Sequence, residues 1–272
     1  MKNRAIANFP WSRRMQERND YTNCPLCEGS EFSEIYRGDC STHPGYSPLF
    51  KPEIHWNKCN SCMHVFTSGY FTDAAFEVLF STTPENRSVG YKMEEKRAIS
   101  AKMIEKALPY TSSGPWLDIG FGNASLLFTA REFGFEPIGV DLRRDNVLAL
   151  QKIGIEAYCE DIQQLNLGRK CSVVSIMDVL EHVPHPKPFL RAAAGFLETG
   201  SPMLISMPNS ESFAWDYATG IKQNPYWGEL EHFHNFSRSR LYSLLEEVGM
   251  KPVRFGLSER YRLSMEVVAV KA

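Results

Sequence analysis

The sequence predicts an α/β fold in which a small cysteine-rich module precedes a doubly wound, seven-stranded, mostly parallel sheet. From Pro115 onward, apolar strand-like runs alternate with amphipathic helix-like segments. Such alternating βα units place helices on both faces of one parallel sheet. Between residues 21 and 70 the chain is instead rich in loops and carries two Cys-x-x-Cys pairs. A length of 272 residues accommodates both units.

The periodicity of apolar residues predicts each element of the larger unit in turn. The predicted strands cover residues 115–119, 137–141, 156–160, 172–177, 202–207, 251–256 and 264–270. The predicted helices cover residues 124–133, 145–152, 188–197 and 238–248. A further helical pattern begins at Thr72 and ends at Pro109, since proline cannot continue a helix. We therefore divide the chain into a basic arm (1–20), a cysteine module (21–70), a helical connector (71–110) and an α/β domain (111–272).

Charge and composition narrow the classes of partner. The net charge of −2 disfavours a protein that coats nucleic acid. No apolar run approaches the roughly 18 residues of a membrane-spanning helix, and the N-terminus lacks a signal-peptide core. Seven cysteines, four of them in two pairs, fit metal binding in a reducing compartment better than disulfides. We predict a cytoplasmic protein with no membrane partner; the oligomeric state is not indicated.

A glycine turn after the first strand of the α/β domain carries the clearest functional signal. Residues 118–123 read Asp-Ile-Gly-Phe-Gly-Asn, and Asp141 ends the next strand. Glycines allow positive φ and close approach of a ligand, and the acid can accept hydrogen bonds from a ribose diol. Glycines alone would also suit an ordinary turn. Ser125 replaces the third glycine of a dinucleotide site, and the Asp118 carboxylate suits a cationic amino or sulfonium group. These details favour S-adenosylmethionine over NAD.

The cysteine pairs predict a structural zinc site. Cys24 and Cys27 are separated from Cys59 and Cys62 by 31 residues. Each pair can form a tight knuckle, and four thiolates complete a tetrahedral site with no open position. Four other residues remain alternative ligands: Cys40, His43, His55 and His64.

Together these motifs resemble the class I S-adenosylmethionine-dependent methyltransferases, which have a Rossmann-like fold. The glycine turn resembles the family's first motif, and Asp141 matches its ribose-binding acid. The segment Glu160-Asp161-Ile162 resembles the part that reads the adenine amino group. Residues 177–184, Met-Asp-Val-Leu-Glu-His-Val-Pro, are similar to the end of the fourth strand in the ubiquinone-biosynthesis-like branch. Ala124 departs from the family pattern, which usually has a third glycine there.

The resemblance implies a set of cofactor contacts. Asp141 would bind both ribose hydroxyls, Asp161 the adenine amino group, and Asp178 would lie at the methionine end. Leu142 and Ile162 would sandwich the adenine ring. The complete predicted set is Asp118, Gly120, Gly122, Asn123, Asp141, Leu142, Asp161, Ile162 and Asp178. A zinc module ahead of this domain is similar to methyltransferases of nucleotide-linked sugars and secondary metabolites.

Methyl transfer to a hydroxyl or acidic C–H group also needs a base near the acceptor. The histidine candidates are His182 and His185, which follow the fourth strand, and His232 and His234, which alternate on one side of an extended segment. A structural role for His182, and a loop-fixing role for His232 and His234, are the competing interpretations. The aromatic segment 209–224 is predicted to be either a lid or a helical insertion. Arg254, Arg260 and Arg262 would meet a diphosphate or simply lie in solvent.

Three functions fit these observations. The first is a methyltransferase that O- or C-methylates a small molecule such as a sugar, a nucleotide-linked sugar or a secondary metabolite. The second is an RNA methyltransferase whose zinc module and basic arm recognise RNA, against which the near-neutral charge counts. The third is a non-catalytic cofactor-binding protein. The first is favoured, with a small molecule rather than nucleic acid as partner.

Overall fold

The computed structural model describes residues 17–80, 83–261 and 263–272, and their largest unit is the predicted seven-stranded sheet. Its strands are β6 (Gly114–Ile119), β7 (Phe135–Val140), β8 (Glu156–Tyr158), β9 (Val173–Met177), β10 (Pro202–Pro208), β12 (Met250–Leu257) and β13 (Ser264–Lys271). They lie in the order β12-β13-β10-β9-β6-β7-β8. Only β13 runs antiparallel to its neighbours, β10 and β12. The predicted fold class is therefore confirmed.

Helices cover both faces of this sheet because its central strands are apolar on both sides. In β6, for example, Trp116 packs into one core cluster and Leu117 into the other. The helices are α1 (Asp73–Phe80), α2 (Met93–Glu105), α3 (Ser125–Glu132), α4 (Arg144–Lys152), α5 (Pro186–Gly195), α6 (Phe213–Gly220) and α7 (Arg238–Glu247). Helices α2, α3 and α4 pack on the first cluster, whereas α5 and α7 pack on the second. Predicted and observed ends in the α/β domain agree to about two residues, the usual spread of such boundaries.

The N-terminal module contains a small second sheet, and one strand of this sheet comes from the α/β domain. It contains β2 (Phe32–Asp39), β3 (Glu53–Cys59) and β4 (Val65–Thr67), extended by β11 (His234–Asn235) in the order β11-β4-β3-β2. An aromatic cluster joins the two parts, since Trp56 and Phe71 of the module pack with Trp227 and Phe233. The module and the residue 225–236 segment thus share one core.

The chain around the module differs in detail from the prediction. Residues 1–16 of the predicted basic arm lie outside the described residues, and the remainder forms β1 (Arg18–Asp20), which pairs with β5 (Gly69–Phe71). The connector is divided into α1, a 3-10 turn (Glu85–Arg87) and α2. Helix α2 ends at Glu105 rather than at Pro109, because i→i+3 hydrogen bonds tighten the chain after it.

The segment 209–224 contains helix α6, whose N-terminus is capped by the Ser212 side chain. Trp215 on this helix is buried in the shared aromatic cluster, whereas Phe213 is 86% exposed. Among the described residues, no helix combines the length and the apolar character needed to cross a bilayer.

Candidate active site and metal centre

The glycine turn lies at the carboxyl end of β6 and leads directly into α3. Gly120, Gly122 and Ala124 all have positive φ, with values of 74°, 53° and 62°. A Cβ at Gly120 would lie 2.5 Å from a Val179 methyl carbon, so this position needs glycine for both space and conformation. Ala124 adopts the same left-handed conformation as a glycine and precedes the first residue of α3. The departure from the family pattern therefore leaves the turn intact, at a cost of roughly 1–2 kcal/mol.

Asp118 is the acidic group at the base of this turn. Its carboxylate is 3% exposed and accepts a 2.6 Å hydrogen bond from the Ser175 hydroxyl. That hydroxyl in turn accepts a 2.8 Å bond from the Trp116 indole N–H. Burial raises the pKa of Asp118 to about 7. A cationic ligand group would favour the charged form, as the sequence suggested.

Asp141 ends β7 beside the same turn. Its two carboxylate oxygens accept hydrogen bonds from the backbone N–H of Gly122 (3.0 Å) and of Arg143 (2.8 Å). Burial nevertheless raises the pKa of this carboxyl group. Each carboxylate oxygen has a second lone pair, so the group can still accept ribose hydroxyls while fixing the turn.

A cavity of about 250 Å³ opens between the turn, α2 and the hairpin that joins β12 to β13. It is lined by acidic and basic side chains together, including Asp118, Lys96 and Arg260. Burial and the neighbouring Arg260 lower the pKa of Lys96. Two cations brought together beside a buried acid are complementary to an amino acid, whose ammonium and carboxylate groups would meet opposite charges.

Sequence reasoning assigned this part of the site incompletely. The sequence predicts Arg260 either as a diphosphate contact or as a solvated residue, and Lys96 gives no signal because it belongs to a charged stretch of helix α2. Arg254 lines a second cavity with Lys106 and Glu259, and Arg262 lies outside the described residues.

The predicted adenine contacts fall into two groups. Leu142 is 60% exposed and Asp161 is exposed, so both side chains can meet a ligand. Ile162, by contrast, is 3% exposed and packs in the main core cluster. Asn123 donates to the Tyr91 carbonyl oxygen over 2.9 Å, which fastens the connector across the glycine turn.

Asp178 and Glu181 place two acids next to the cavity, after β9. Asp178 has a φ of 59° and accepts a 2.8 Å hydrogen bond from the Ser206 hydroxyl. Its other oxygen lies 3.4 Å from an Arg260 nitrogen. Glu181 is buried, and burial together with Asp178 raises its pKa well above the usual range.

His182 and His232 meet beside these acids, with ring centroids 4.6 Å apart and planes at 88°. The Nδ1 atom of His182 lies 3.0 Å from the Glu231 carbonyl oxygen. A carbonyl oxygen only accepts, so Nδ1 carries the proton and Nε2 keeps a lone pair. Burial lowers the pKa of both imidazoles, which keeps them in the neutral form that a base requires. One ligand atom each from Glu181, His182 and His232 lies within 4.8 Å of the others, an arrangement that is also compatible with a metal ion.

His234 occupies a different environment from His182 and His232. It is fully buried; its Nε2 bonds the Val183 carbonyl oxygen over 2.9 Å, and its Nδ1 bonds His64 Nε2 over 3.0 Å. Both ring nitrogens are thus engaged within the protein, which leaves neither of them for proton transfer to an acceptor. His232 and His234, which the sequence analysis placed on one side of the segment, therefore do not share one site: His232 contacts His182, whereas His234 contacts His64.

The four predicted metal ligands do come together. Their sulfur atoms lie within 4.8 Å of one another, with Cys24 and Cys62 3.6 Å apart and Cys27 and Cys59 3.5 Å apart. A tetrahedral zinc with Zn–S bonds of about 2.3 Å requires sulfurs roughly 3.8 Å apart, so the cluster fits zinc. It does not fit disulfides, whose sulfurs are about 2.05 Å apart.

Two similar knuckles produce this cluster. In each, a residue in the left-handed region follows the second cysteine: Glu28 (φ 62°) and Met63 (φ 61°). The amide of that residue donates to the carbonyl of the first cysteine in its pair. The alternative ligands lie elsewhere, since Cys40 bonds the Lys51 carbonyl oxygen and His55 bonds Glu34.

Sequence relatives share the central part of the chain. The model of the methyltransferase domain family matches residues 91–254, more than half of the chain. A ubiquinone biosynthesis O-methyltransferase from Coxiella burnetii is 27% identical over 108 residues, which are 37% of this chain and 46% of the relative. The chain thus spans about half the length of the curated relatives it matches.

Solved structures share the fold. One is the 1,6-didemethyltoxoflavin-N1-methyltransferase of Burkholderia thailandensis with bound 1,6-didemethyltoxoflavin and S-adenosylhomocysteine. It is 14% identical with a TM-score of 0.56, and the match covers 78% of this chain and 97% of that one. Magnesium protoporphyrin IX methyltransferase from Synechocystis PCC 6803 is 16% identical with a TM-score of 0.52, covering 65% and 84%. At these low identities the solved structures support the fold alone, whereas the family model matches the amino-acid sequence of residues 91–254. The chain belongs to the methyltransferase domain family.

Proposed function

We propose that this protein transfers a methyl group from S-adenosylmethionine to a small-molecule acceptor. The observation that carries the proposal is the cavity beside the glycine turn, in which buried Asp118 faces Lys96 and Arg260. This charge arrangement complements the ammonium and carboxylate of the methionine end. Asp141 lies where the ribose would follow, and exposed Leu142 offers an apolar surface to the adenine.

His182 is our candidate general base. S-adenosylmethionine supplies an electrophilic methyl group on a sulfonium, so transfer to a hydroxyl requires removal of one proton from the acceptor. The bond to the Glu231 carbonyl fixes the His182 ring and leaves Nε2 able to take that proton. His232, in edge contact with His182, would hold the ring orientation or bind the acceptor.

The residues beyond the two histidines are aromatic. Tyr226 stacks on His232 with centroids 5.7 Å apart, and buried Trp215 supports Tyr226 from behind at 5.6 Å. Tyr226 is only half-buried, and an aromatic side chain of this kind suits contact with a sugar ring or an aromatic metabolite. A sugar or nucleotide-linked sugar acceptor therefore remains our preferred substrate class.

We also propose that Cys24, Cys27, Cys59 and Cys62 bind a structural zinc ion. The sulfur distances and the matched knuckles support a closed tetrahedral site. Such a site contributes on the order of 10 kcal/mol to folding, a large term for so small a module. A site that needs reduced thiolates also supports residence in the cytoplasm.

The test is incubation of the protein with methyl-labelled cofactor and a panel of nucleotide sugars, small phenols and RNA. We expect label in a small molecule, and a His182→Asn variant to lose transfer while binding the cofactor normally. Label in RNA alone, with affinity that falls steeply with salt, would establish the alternative RNA function. Cofactor binding without label in any acceptor would favour a non-catalytic protein, and no cofactor binding at all would refute the proposal.

A further inference from the structure

We propose that His64, which lies outside the acceptor site, is a positioning residue that couples the metal module to both histidines of that site. The proposal rests on the acceptor site described above. It assigns the module a role in the geometry of that site, rather than only in the stability of its own fold.

The coupling begins at the second cysteine knuckle. The His64 carbonyl oxygen accepts a hydrogen bond from the Cys59 amide over 2.9 Å, so the backbone of His64 belongs to the turn that presents Cys59 and Cys62. Its side chain is 1% exposed and its ring packs against Phe66 and Phe236. A change in the knuckle therefore moves the His64 ring directly.

Two directional hydrogen bonds continue from that ring into the α/β domain. The Val183 carbonyl only accepts, so His234 carries its proton on Nε2 and presents Nδ1 as an acceptor. His64 must then donate from its own Nε2, over 3.0 Å. This assignment fixes the tautomer of both buried rings, and each ring holds the other in one orientation.

The hydrogen bonds that start at His64 end next to the proposed acceptor site. Val183 follows His182 directly, and His234 lies two residues beyond His232. Backbone pairing reinforces the link, because the Phe233 amide donates to the Glu181 carbonyl and the Thr67 amide donates to the Phe233 carbonyl. The module thus contacts the segment that carries His232 directly and, through His234, the segment that carries His182.

The chemistry of the link makes a sharp substitution test possible. In His64→Gln, the side-chain amide can still donate to His234, whereas His64→Leu fills a similar volume without a donor. His55→Leu is the matched control, since His55 lies on β3 of the same module and bonds Glu34 at the surface. The full-length, metal-loaded protein is used in every case.

Hydrogen exchange of backbone amides and NMR of the imidazole nitrogens report on the link without needing an acceptor. In His64→Leu we expect the amides of residues 181–183 and 232–236 to exchange about tenfold faster or more, and the His234 Nδ1 signal to shift. His64→Gln should restore both, and His55→Leu should change neither. Affinity for the cofactor should stay within about twofold in all variants, since its site does not touch the link.

Three outcomes would overturn the proposal: unchanged exchange in His64→Leu, uniform acceleration across the whole α/β domain, or no rescue by His64→Gln. Chelation of the metal gives a second measurement, in which the same two segments should lose protection ahead of the seven-stranded sheet. Loss of protection elsewhere first would also contradict it. None of these readouts involves methyl transfer, so they separate failure of this link from failure of the proposed function.

Discussion

The buried carboxyl group of Asp118 allows a direct test of the electrostatics of the cofactor site, through the substitution Asp118→Asn. Burial raises the pKa of this group from 3.8 to about 7. The folded protein therefore holds the proton more tightly than the unfolded chain does, and stability is lost as the pH rises from about 4 to about 7. The whole difference corresponds to about 4 kcal/mol, at 1.36 kcal/mol per pKa unit.

Asparagine keeps the oxygen that accepts the Ser175 hydroxyl bond but cannot ionise. We expect the free energy of unfolding of Asp118→Asn, relative to the original protein, to rise by about 2–3 kcal/mol between pH 5 and pH 8. Guanidinium unfolding of the cofactor-free protein at the two pH values measures this difference. Asp145→Asn, which removes an exposed carboxylate from α4, serves as the control and should follow the original protein at both pH values.

Cofactor binding provides the complementary measurement. Because the pKa of Asp118 is raised to about 7, this carboxyl group is still partly protonated near neutral pH, and a cationic ligand should drive it fully into the charged form. Calorimetry in buffers of different ionisation enthalpy should then detect proton release on cofactor binding, and this release should be absent in Asp118→Asn. A stability difference that does not change with pH, together with no proton release, would refute the assignment of Asp118 as the buried titrating group.

Three further predictions concern the other parts of the molecule. Asp141→Asn should weaken cofactor binding at least about tenfold, because charge-assisted bonds to the ribose are lost, while calorimetry and thermal unfolding show a folded protein; unchanged affinity would place the ribose elsewhere. Cys27→Ser should release the metal and lower the melting temperature, which metal analysis and calorimetry measure. Cys159 is an exposed cysteine outside the cluster, so Cys159→Ser should change neither quantity. Gly38→Ala should destabilise the protein by about 1–3 kcal/mol, since its Cβ would lie 1.7 Å from the Trp227 carbonyl oxygen. Gly195→Ala, which meets open space, should be neutral or mildly stabilising in the same unfolding assay.

The order and type of the elements after Pro115 could be read from the sequence because each of them is determined locally. Strand β9, for example, is buried along its whole length, and its apolar run bounded by turn residues identifies it without knowledge of its neighbours. The glycine turn and the two cysteine knuckles are local in the same sense. The two glycines of the turn, and the two cysteines of each knuckle, are only two or three residues apart along one stretch of backbone.

The acceptor site could not be read in this way, because its parts come from distant segments. His232 and His234 are two residues apart and looked equivalent, yet the strand pairing of β11 with β4 buries His234 against His64 of the module. Arg260 reaches the cavity only because the hairpin between β12 and β13 folds back over the carboxyl ends of the strands.

The sequence by itself therefore determined the α/β fold, the glycine turn with Asp118 and Asp141, and the four-cysteine cluster. Only the tertiary structure decided that His182 and His232, but not His234, keep a nitrogen outside these hydrogen bonds. It also decided which cations face Asp118, and that the module shares its core with residues 225–236. The physical reason is the range of the interactions. Backbone conformation and hydrophobic periodicity act over a few residues, whereas burial, tautomers and the pairing of charges depend on groups that meet only after the chain has folded.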